Sequence, residues 1–296
     1  MLIHRGVGGE LQVEVKQLDK PTRLDRVLRD HFPDWGRQAV QGLIAAKGVR
    51  VNGRAVWLAS WQVQNGDRLE ILQPPAAKPA PLTQFADVWL LAQTDALIVV
   101  NKPAGLLSES PALRDAANLL DLAKARFGEL ILFHRLDRDT SGVVLLTRPG
   151  PINQVLNRAF KEGLVHKEYL AVIAKPNRLA TSGVIDVRLD THPQRRDMMA
   201  VVQRGGKHAV TRYAIEEETK ERQLVHLWPE TGRTHQLRVH LAHLGAPILG
   251  DRLYGRVESA ERLLLHAQRI TLPAQAEFPT RTYEAPLPAG FWPLSM

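Results

Sequence analysis

Phe133-His134-Arg135-Leu136-Asp137-Arg138-Asp139-Thr140-Ser141-Gly142-Val143-Val144-Leu145-Leu146-Thr147-Arg148 is the stretch around which the chain is organised. The apolar run Leu130-Ile131-Leu132-Phe133 leads into it and Val143-Val144-Leu145-Leu146 leads out. Short runs of this kind read as buried strands flanking a turn. Between them, Asp137-Arg138-Asp139-Thr140-Ser141-Gly142 has turn chemistry, because Asp and Ser bond their own backbone and Gly supplies a positive φ. The pattern predicts a carboxylate held at a sheet edge between two arginines, a rigid setting for a reactive group. On residue type alone, Asp137 would as readily cap the turn and pair with Arg135 or Arg138.

Composition bounds the partners. The 296 residues are enough for one or two domains with a sizeable core. The formal net charge is +8, and the isoelectric point near 9.9 suits a polyanionic partner. The absence of cysteine removes disulfides, thiolate nucleophiles and Cys-ligated zinc, and agrees with a reducing compartment. Met1-Leu2-Ile3-His4-Arg5-Gly6 has no apolar leader core, and no run approaches the length of a membrane span. The expectation is a soluble, cytoplasmic monomer.

Residues up to about 20 read as irregular or as a single strand. Thr22 reads as an N-cap with Asp25 three residues on, and Leu24, Val27, Leu28 and Phe32 follow at helical spacing until Pro33. A second helix is predicted from about Gly36 to Lys47, with Val40, Leu43 and Ile44 inward and Gly48 just past its end. Val49-Arg50-Val51-Asn52-Gly53 is a strand entering an Asn-Gly turn, and Asn65-Gly66-Asp67 marks a second turn before Leu69-Glu70-Ile71. Arg23, Arg26, Arg29, Arg37 and Lys47 give the helices a basic face. It is either a solvated surface or a contact for phosphates. Gln73-Pro74-Pro75-Ala76-Ala77-Lys78-Pro79-Ala80-Pro81 reads as an extended Pro/Ala linker. The boundaries that follow are 1–73, a linker at 74–82, and 83–296.

Beyond the linker, strands are predicted at 88–91 and 96–100, then at 167–173, 183–189, 198–202, 208–215, 222–228, 262–271 and 280–285. Helices are predicted at 115–127 and from Pro151 to near Gly163. Strands this closely spaced indicate a largely antiparallel or mixed sheet with helices packed on it, an α+β domain.

Two resemblances attach to these patterns. His134-Arg135-Leu136-Asp137 followed by Asp139-Thr140-Ser141-Gly142 resembles the signature of the RluA family of RNA pseudouridine synthases. Further segments resemble that family's motifs in order: Asn101-Lys102-Pro103-Ala104-Gly105, His166-Lys167-Glu168-Tyr169-Leu170, Gly232-Arg233-Thr234-His235-Gln236-Leu237-Arg238-Val239-His240, Gly250-Asp251-Arg252-Leu253-Tyr254-Gly255 and Leu263-Leu264-Leu265-His266-Ala267. Residues 20–72 are similar to an S4 RNA-binding domain, with Gly36-Arg37 where the second S4 helix usually opens on Ser-Arg. The resemblance implies a pseudouridine synthase core, a bent mixed sheet with an RNA cleft along it, preceded by a small S4-like domain. It also implies site roles: Asp137 as the catalytic carboxylate, Tyr169 in the active site, and Arg233 beside Asp137. Arg135 and Leu265 would contact the flipped nucleotide, and Arg23, Arg26, Arg37 and Lys47 would meet RNA phosphates.

The implied reaction suits one carboxylate. Isomerising uridine breaks N1–C1′, turns the uracil and bonds C5 to C1′, so neither redox cofactor nor metal is needed. Glycosidases use two carboxylates because a leaving group is protonated and water admitted. Here the leaving uracil spreads its charge over its carbonyl oxygens and stays bound. Asp137 attacks C1′, attacks the base or removes the C2′ proton. All three routes need it ionised, a state that a neighbouring guanidinium favours. Tyr169 would stack on the turning uracil and help take the C5 proton. Reaching C1′ in folded RNA requires flipping the nucleotide.

Other chemistries find less support. The histidines at 134, 166, 235, 240, 243 and 266 lack a carboxylate at zincin spacing, so no metal site is expected. Gly205-Gly206-Lys207-His208 is not a Walker loop, and no dinucleotide fingerprint follows a strand, so no nucleotide cofactor is expected. The RNA expected is ribosomal, with transfer RNA as the alternative substrate. A non-catalytic RNA- or ribosome-binding protein would apply if Asp137, Tyr169 and Arg233 did not converge. A hydrolase would need a second acid near Asp137, for which Asp139 is the candidate in sequence.

Overall fold

The computed structural model describes residues 3–5, 11–72, 82–110, 117–255, 260, 262–273 and 282–292. The chain divides into two compact units, Met1–Pro81 and Leu82–Met296. Most of the expected linker lies outside the described residues.

In the first unit, the described residues before Lys20 carry two strands where one at most was expected. β1 (Ile3–Arg5) pairs antiparallel with β2 (Leu11–Glu14). β3 (Thr22–Arg23) runs straight into α1 (Leu24–His31), whose N-cap is Arg23. Thr22 is not the cap: its hydroxyl donates to the Lys20 carbonyl, and its backbone is extended by pairing with β6 (Gln62–Val63). α2 (Arg37–Ala45) ends earlier than the sequence suggests. Lys47, at φ 59°, takes the left-handed position expected of Gly48. Gly48 instead lets the chain close on Leu43, where a Cβ would stand 2.5 Å from Leu43 Cδ1. β4 (Val49–Val51) and β5 (Arg54–Val56) form the hairpin predicted by Asn52-Gly53, both with positive φ. With β7 (Arg68–Ile71) the sheet order is β1-β2-β7-β4-β5. Leu24, Val27 and Leu28 of α1 and Val40 and Ile44 of α2 pack with Val13, Val49, Leu69 and Ile71 in one core.

The second unit is α+β. In chain order it contains a 3₁₀ turn (Asp87–Trp89), β8 (Leu90–Gln93), β9 (Leu97–Lys102), α3 (Leu119–Phe127), β10 (Ile131–Leu132) and β11 (Ser141–Thr147). Next come α4 (Ile152–Lys161), β12 (His166–Ala174), β13 (Ser182–His192), β14 (Arg195–Val202), β15 (Lys207–Glu218) and β16 (Arg222–Pro229). α5 (Gln236–His243), β17 (Leu265–Thr271) and β18 (Thr282–Glu284) complete it. One sheet carries all these strands in the order β14-β13-β15-β16-β12-β17-β11-β9-β8, with β10 on β11 and β18 on β17. Among the described strands of this sheet, only the β11–β17 pairing is parallel.

The unbroken apolar runs in β9 and β11 follow from burial on both faces. Ile98, Val100, Val144 and Leu146 face Leu119, Leu122 and Phe127 of α3. Leu97, Val99, Val143 and Leu145 face Ile152 and Leu156 of α4. α3 begins at Leu119, later than predicted, because the Asn118 side chain accepts the Asp121 N–H and caps it. β17 begins at Leu265, since the backbone of Leu264 is engaged with Leu249 and Val172.

Two histidines are sealed in this unit. His266 has Nδ1 2.9 Å from the Ser141 hydroxyl, His240 lies within α5, and both are fully buried. Burial pushes each imidazole down to about 4, against an ordinary 6.5. The stability each provides is complete above pH 6.5 and is lost as pH falls toward 4, at up to about 1.4 kcal/mol per pH unit. His240→Leu is therefore expected to flatten the acid slope of unfolding free energy, measured by denaturant titration between pH 6 and 4.5. An unchanged slope would mean that His240 charges inside the fold.

Candidate active site

The turn carrying Asp137 is clamped from outside. β10 spans only two residues, so the flanking strands alone do not hold the turn. The Ser108 hydroxyl donates to the Leu136 carbonyl at 2.8 Å and accepts the Leu136 N–H at 3.0 Å. The fully buried Lys102 ammonium donates to the carbonyls of Leu106 (2.7 Å), Pro103 (3.0 Å) and Arg138 (3.1 Å). The Gly105 N–H also donates to Arg138. Burial pushes the Lys102 ammonium down to about 7, while Asp139 and Asp137 act to keep it charged. Backbone on both sides of Asp137 is thus pinned. Gly142, at φ 120°, pairs with Ala267 on β17, and a Cβ there would stand 2.1 Å from the Ala267 carbonyl oxygen. Any other side chain would push β11 and β17 apart. Ala267 pairs on its other side with Tyr169 of β12, so the Asp137 turn and Tyr169 sit on strands separated by one neighbour.

The guanidinium beside Asp137 belongs to Arg238, and this corrects the placement expected for Arg233. Arg238 Nη1 donates to Asp137 Oδ2 at 3.1 Å. Its Nε and Nη2 fork onto Asp251 at 2.8 Å each, and its side chain is 7% exposed. Arg233 precedes α5, is exposed, and donates to the His208 carbonyl at 2.9 Å. The helix begins between the two residues and turns only the second one inward. Gln236, buried at the start of α5, fixes that orientation. Its amide donates to the Val210 carbonyl and Thr211 hydroxyl, and its oxygen accepts from Thr231 and from the Arg233 N–H. Burial opposes the charge on Arg238, but Asp251 and Asp137 outweigh it and raise its pKa. Burial likewise opposes ionised Asp251, yet Arg238 and the N–H groups of Leu253 and Tyr254 hold its carboxyl below the usual range.

His235 completes the surroundings of Asp137, with Nε2 3.8 Å from Oδ2. The Asp137 side chain is 26% exposed, so it is both anchored and reachable. Asp139 is forked by Arg138. Asp251, the other carboxylate nearby, is sealed and fully engaged, so neither supplies the free second acid that a hydrolase needs. Tyr169 borders two core clusters, and burial followed by the charge of Asp137 raises its hydroxyl pKa.

Leu265 is 3% exposed in the core cluster that Tyr169 borders. Arg135 is exposed and pairs with Glu109 at 3.0 Å. In the first unit, Arg23 forks onto Asp25, Arg26 lies 3.7 Å from Asp30, Arg37 is exposed at the start of α2, and Lys47 stands 6.0 Å over the Trp57 ring. Among the described residues no three His, Cys, Asp or Glu side chains are grouped to hold a metal ion, and no helix is long and apolar enough to cross a membrane. Sequence reasoning missed Arg238, Asp251, Lys102 and His235. A signal for Arg238 was present: in Leu237-Arg238-Val239-His240-Leu241 a charge sits amid apolar neighbours, and a buried arginine requires carboxylate partners.

The chain's relatives agree with this architecture. A family profile described as RNA pseudouridylate synthase matches residues 96–243. The ribosomal large subunit pseudouridine synthase D of Nitrosomonas europaea is 32% identical, covering 90% of this chain and 81% of that protein. The protein of the same name from Haemophilus influenzae is 29% identical, covering 95% and 92%. Among solved structures, human RNA pseudouridylate synthase domain containing 4 aligns with a TM-score of 0.54 at 30% identity, over 68% of this chain and 89% of that one. Human RNA pseudouridylate synthase domain containing 1 gives 0.57 at 27%, over 71% and 88%. With a clamped Asp-bearing turn, a mostly antiparallel sheet and relatives that span both units, the chain belongs to the RluA family of RNA pseudouridine synthases, isomerases that convert uridine in RNA to pseudouridine.

Proposed function

We propose that this enzyme acts on large-subunit ribosomal RNA in the cytoplasm, with Asp137 as its reacting carboxylate. The observation that carries the assignment is the pairing of a partly exposed Asp137 with a buried Arg238 that Asp251 anchors from behind. An ionised carboxylate held this way is aimed without waiting for side-chain reorganisation. Attack at C1′, attack at the base and removal of the C2′ proton all begin from that state. The ribosomal target is supported by the printed names of the bacterial relatives. Arg135, exposed and bound only at the surface to Glu109, is free to enter the space a flipped nucleotide leaves.

Tyr169 has a constrained part. A phenol kept neutral by burial and by Asp137 can take the C5 proton only while handing on its own, and the nearby carboxylate is the natural acceptor. Tyr169→Phe is expected to slow product formation by ~10²–10⁴-fold, and Tyr169→Leu to slow it further by removing the ring. Single-turnover assays check this, and equal rates for Phe and wild type would leave packing as the only role.

The first unit, on this reading S4-like, supplies affinity. Arg26 pairs with Asp30 at the surface, a weak contact that RNA phosphates can displace, whereas Arg23 forks onto the buried Asp25. Arg26→Ala or Arg37→Ala is expected to reduce the log–log salt slope of RNA binding by roughly one.

The target itself is tested by incubating purified protein with transcripts of large-subunit RNA, small-subunit RNA and transfer RNA. Carbodiimide-dependent reverse-transcription stops then locate pseudouridine. Modification of the large-subunit transcript is expected, and modification confined to transfer RNA would overturn the assignment.

A further inference from the structure

His235 stands in an unusual place. It is the N-cap of α5 with φ 53° and ψ 17°, a left-handed conformation uncommon for residues other than Gly, in which Asn, Asp and His are the enriched exceptions. That geometry aims the ring between two partners. Nε2 lies 3.8 Å from Asp137 Oδ2, and Nδ1 lies 2.9 Å from the Tyr254 hydroxyl. Tyr254 is held in turn: its oxygen accepts the Met199 N–H at 2.7 Å, its ring lies under the Arg238 guanidinium at 5.2 Å, and its own N–H donates to Asp251.

These contacts suit one placement of the ring's proton. The Met199 N–H occupies one lone pair of the Tyr254 oxygen, so a hydroxyl proton directed at Nδ1 lets that oxygen meet both neighbours with one bond accepted and one donated. An Nδ1 that accepts requires Nε2 to carry the hydrogen in a neutral ring, and Nε2 faces the carboxylate. The opposite tautomer would turn a lone pair toward Asp137. Burial, reinforced by Arg238 and opposed by Asp137, Asp251 and Asp197, lowers the imidazole pKa and favours the neutral ring.

The geometry points to His235 as a positioning residue whose Nε2–H, set by the Tyr254 hydroxyl, steadies Asp137 at Oδ2, the same oxygen that accepts from Arg238. The 3.8 Å separation exceeds a hydrogen bond, and it closes when substrate orders the site, as catalytic contacts do between free and bound enzymes. The inference rests on the reading of Asp137 as the reacting carboxylate. Met199 lies on β14, so the same chain of contacts ties the β13–β14 hairpin to the carboxylate.

The test uses the full-length enzyme and two kinds of readout. Imidazole ¹⁵N–¹H correlation spectra of wild type are expected to show His235 as the neutral Nε2–H tautomer, and Tyr254→Phe is expected to mix the tautomers. This readout needs no turnover, so it stands apart from any failure of the Asp137 assignment, which an active Asp137→Asn enzyme would reveal. His235→Asn keeps a residue suited to the left-handed backbone but places its amide where Nδ1 was, out of reach of Asp137. It is expected to lower kcat by roughly 10–100-fold with KM little changed, the scale of one hydrogen bond to a charged group. His235→Gln places an amide N–H where Nε2 was and is expected to recover most of that loss. An Nδ1–H tautomer in wild type, or equal kcat losses for Asn and Gln in variants of matched thermal stability, would overturn the proposal.

Discussion

Asp137→Asn is expected to reduce isomerisation by ~10⁴-fold or more, at or beyond the top of the range for removing one proton-transfer group. RNA affinity should stay within a few-fold. The amide has almost the shape of the carboxylate, and its oxygen can still accept from Arg238 Nη1. The Ser108, Lys102 and Gly105 clamps bond backbone and do not involve the side chain, so the turn should persist. The lost properties are negative charge, nucleophilicity and proton affinity, which every route from Asp137 requires. Single-turnover assays on RNA alongside filter binding make the comparison. More than a trace of turnover, with wild-type contamination excluded, would remove Asp137 from the role.

Arg238→Met is expected to have the second largest effect, on both stability and rate. It strips the guanidinium from Asp251, whose side chain is 0% exposed, and an unpaired buried charge typically costs about 3–5 kcal/mol. It also releases Asp137. The two consequences separate in Arg238→Met/Asp251→Asn, where the buried charge is gone and an amide oxygen still accepts the Leu253 and Tyr254 N–H groups. Stability should return toward wild type in that double variant while kcat stays low. Recovery of kcat together with stability would show that Arg238 acts only on the fold. Arg233→Ala is the control. Its guanidinium is exposed and bonded to a backbone carbonyl, so kcat should remain within about threefold, as for most surface substitutions. A large kcat loss there would restore Arg233 to the part first expected of it.

That reversal between two arginines five residues apart shows how tertiary contacts decide what a motif does. The segment Gly232–His240 carries both, and either could meet a carboxylate. The choice depends on α5 starting at Gln236, which depends on Gln236 bonding Val210 and Thr211 of β15, some 25 residues earlier. The Thr231 hydroxyl and the Arg233 N–H also bond the Gln236 oxygen, but the face the helix turns inward is set by the bonds to β15. Lys102 is similar: Asn-Lys-Pro-Ala-Gly reads as a turn, and a lysine there would normally be solvated. Its burial follows from β9 lying beside β11, which brings the Arg138 carbonyl within 3.1 Å.

Local patterning did determine much of the rest. Two-fold alternation hidden inside continuous apolar runs specified β9 and β11 as strands buried on both faces, and Asn52-Gly53 specified a hairpin because few other pairs accept two positive φ values. The Asp137 turn was legible for the same reason: its residues bond their neighbours, and Gly142 supplies the backbone freedom that β17 requires. The sequence by itself therefore determined α1 to α4, most of the strands, the turn and the candidate carboxylate, settled largely by interactions within a few residues, while α5 went unpredicted. The partner of that carboxylate, the anchor behind the partner, and the tautomer of the histidine facing it were decided only by the tertiary structure. Asp137 lies 101 residues from Arg238 and farther still from Asp251, and only burial in one place makes the charges and hydrogen bonds of these residues and His235 answer to one another.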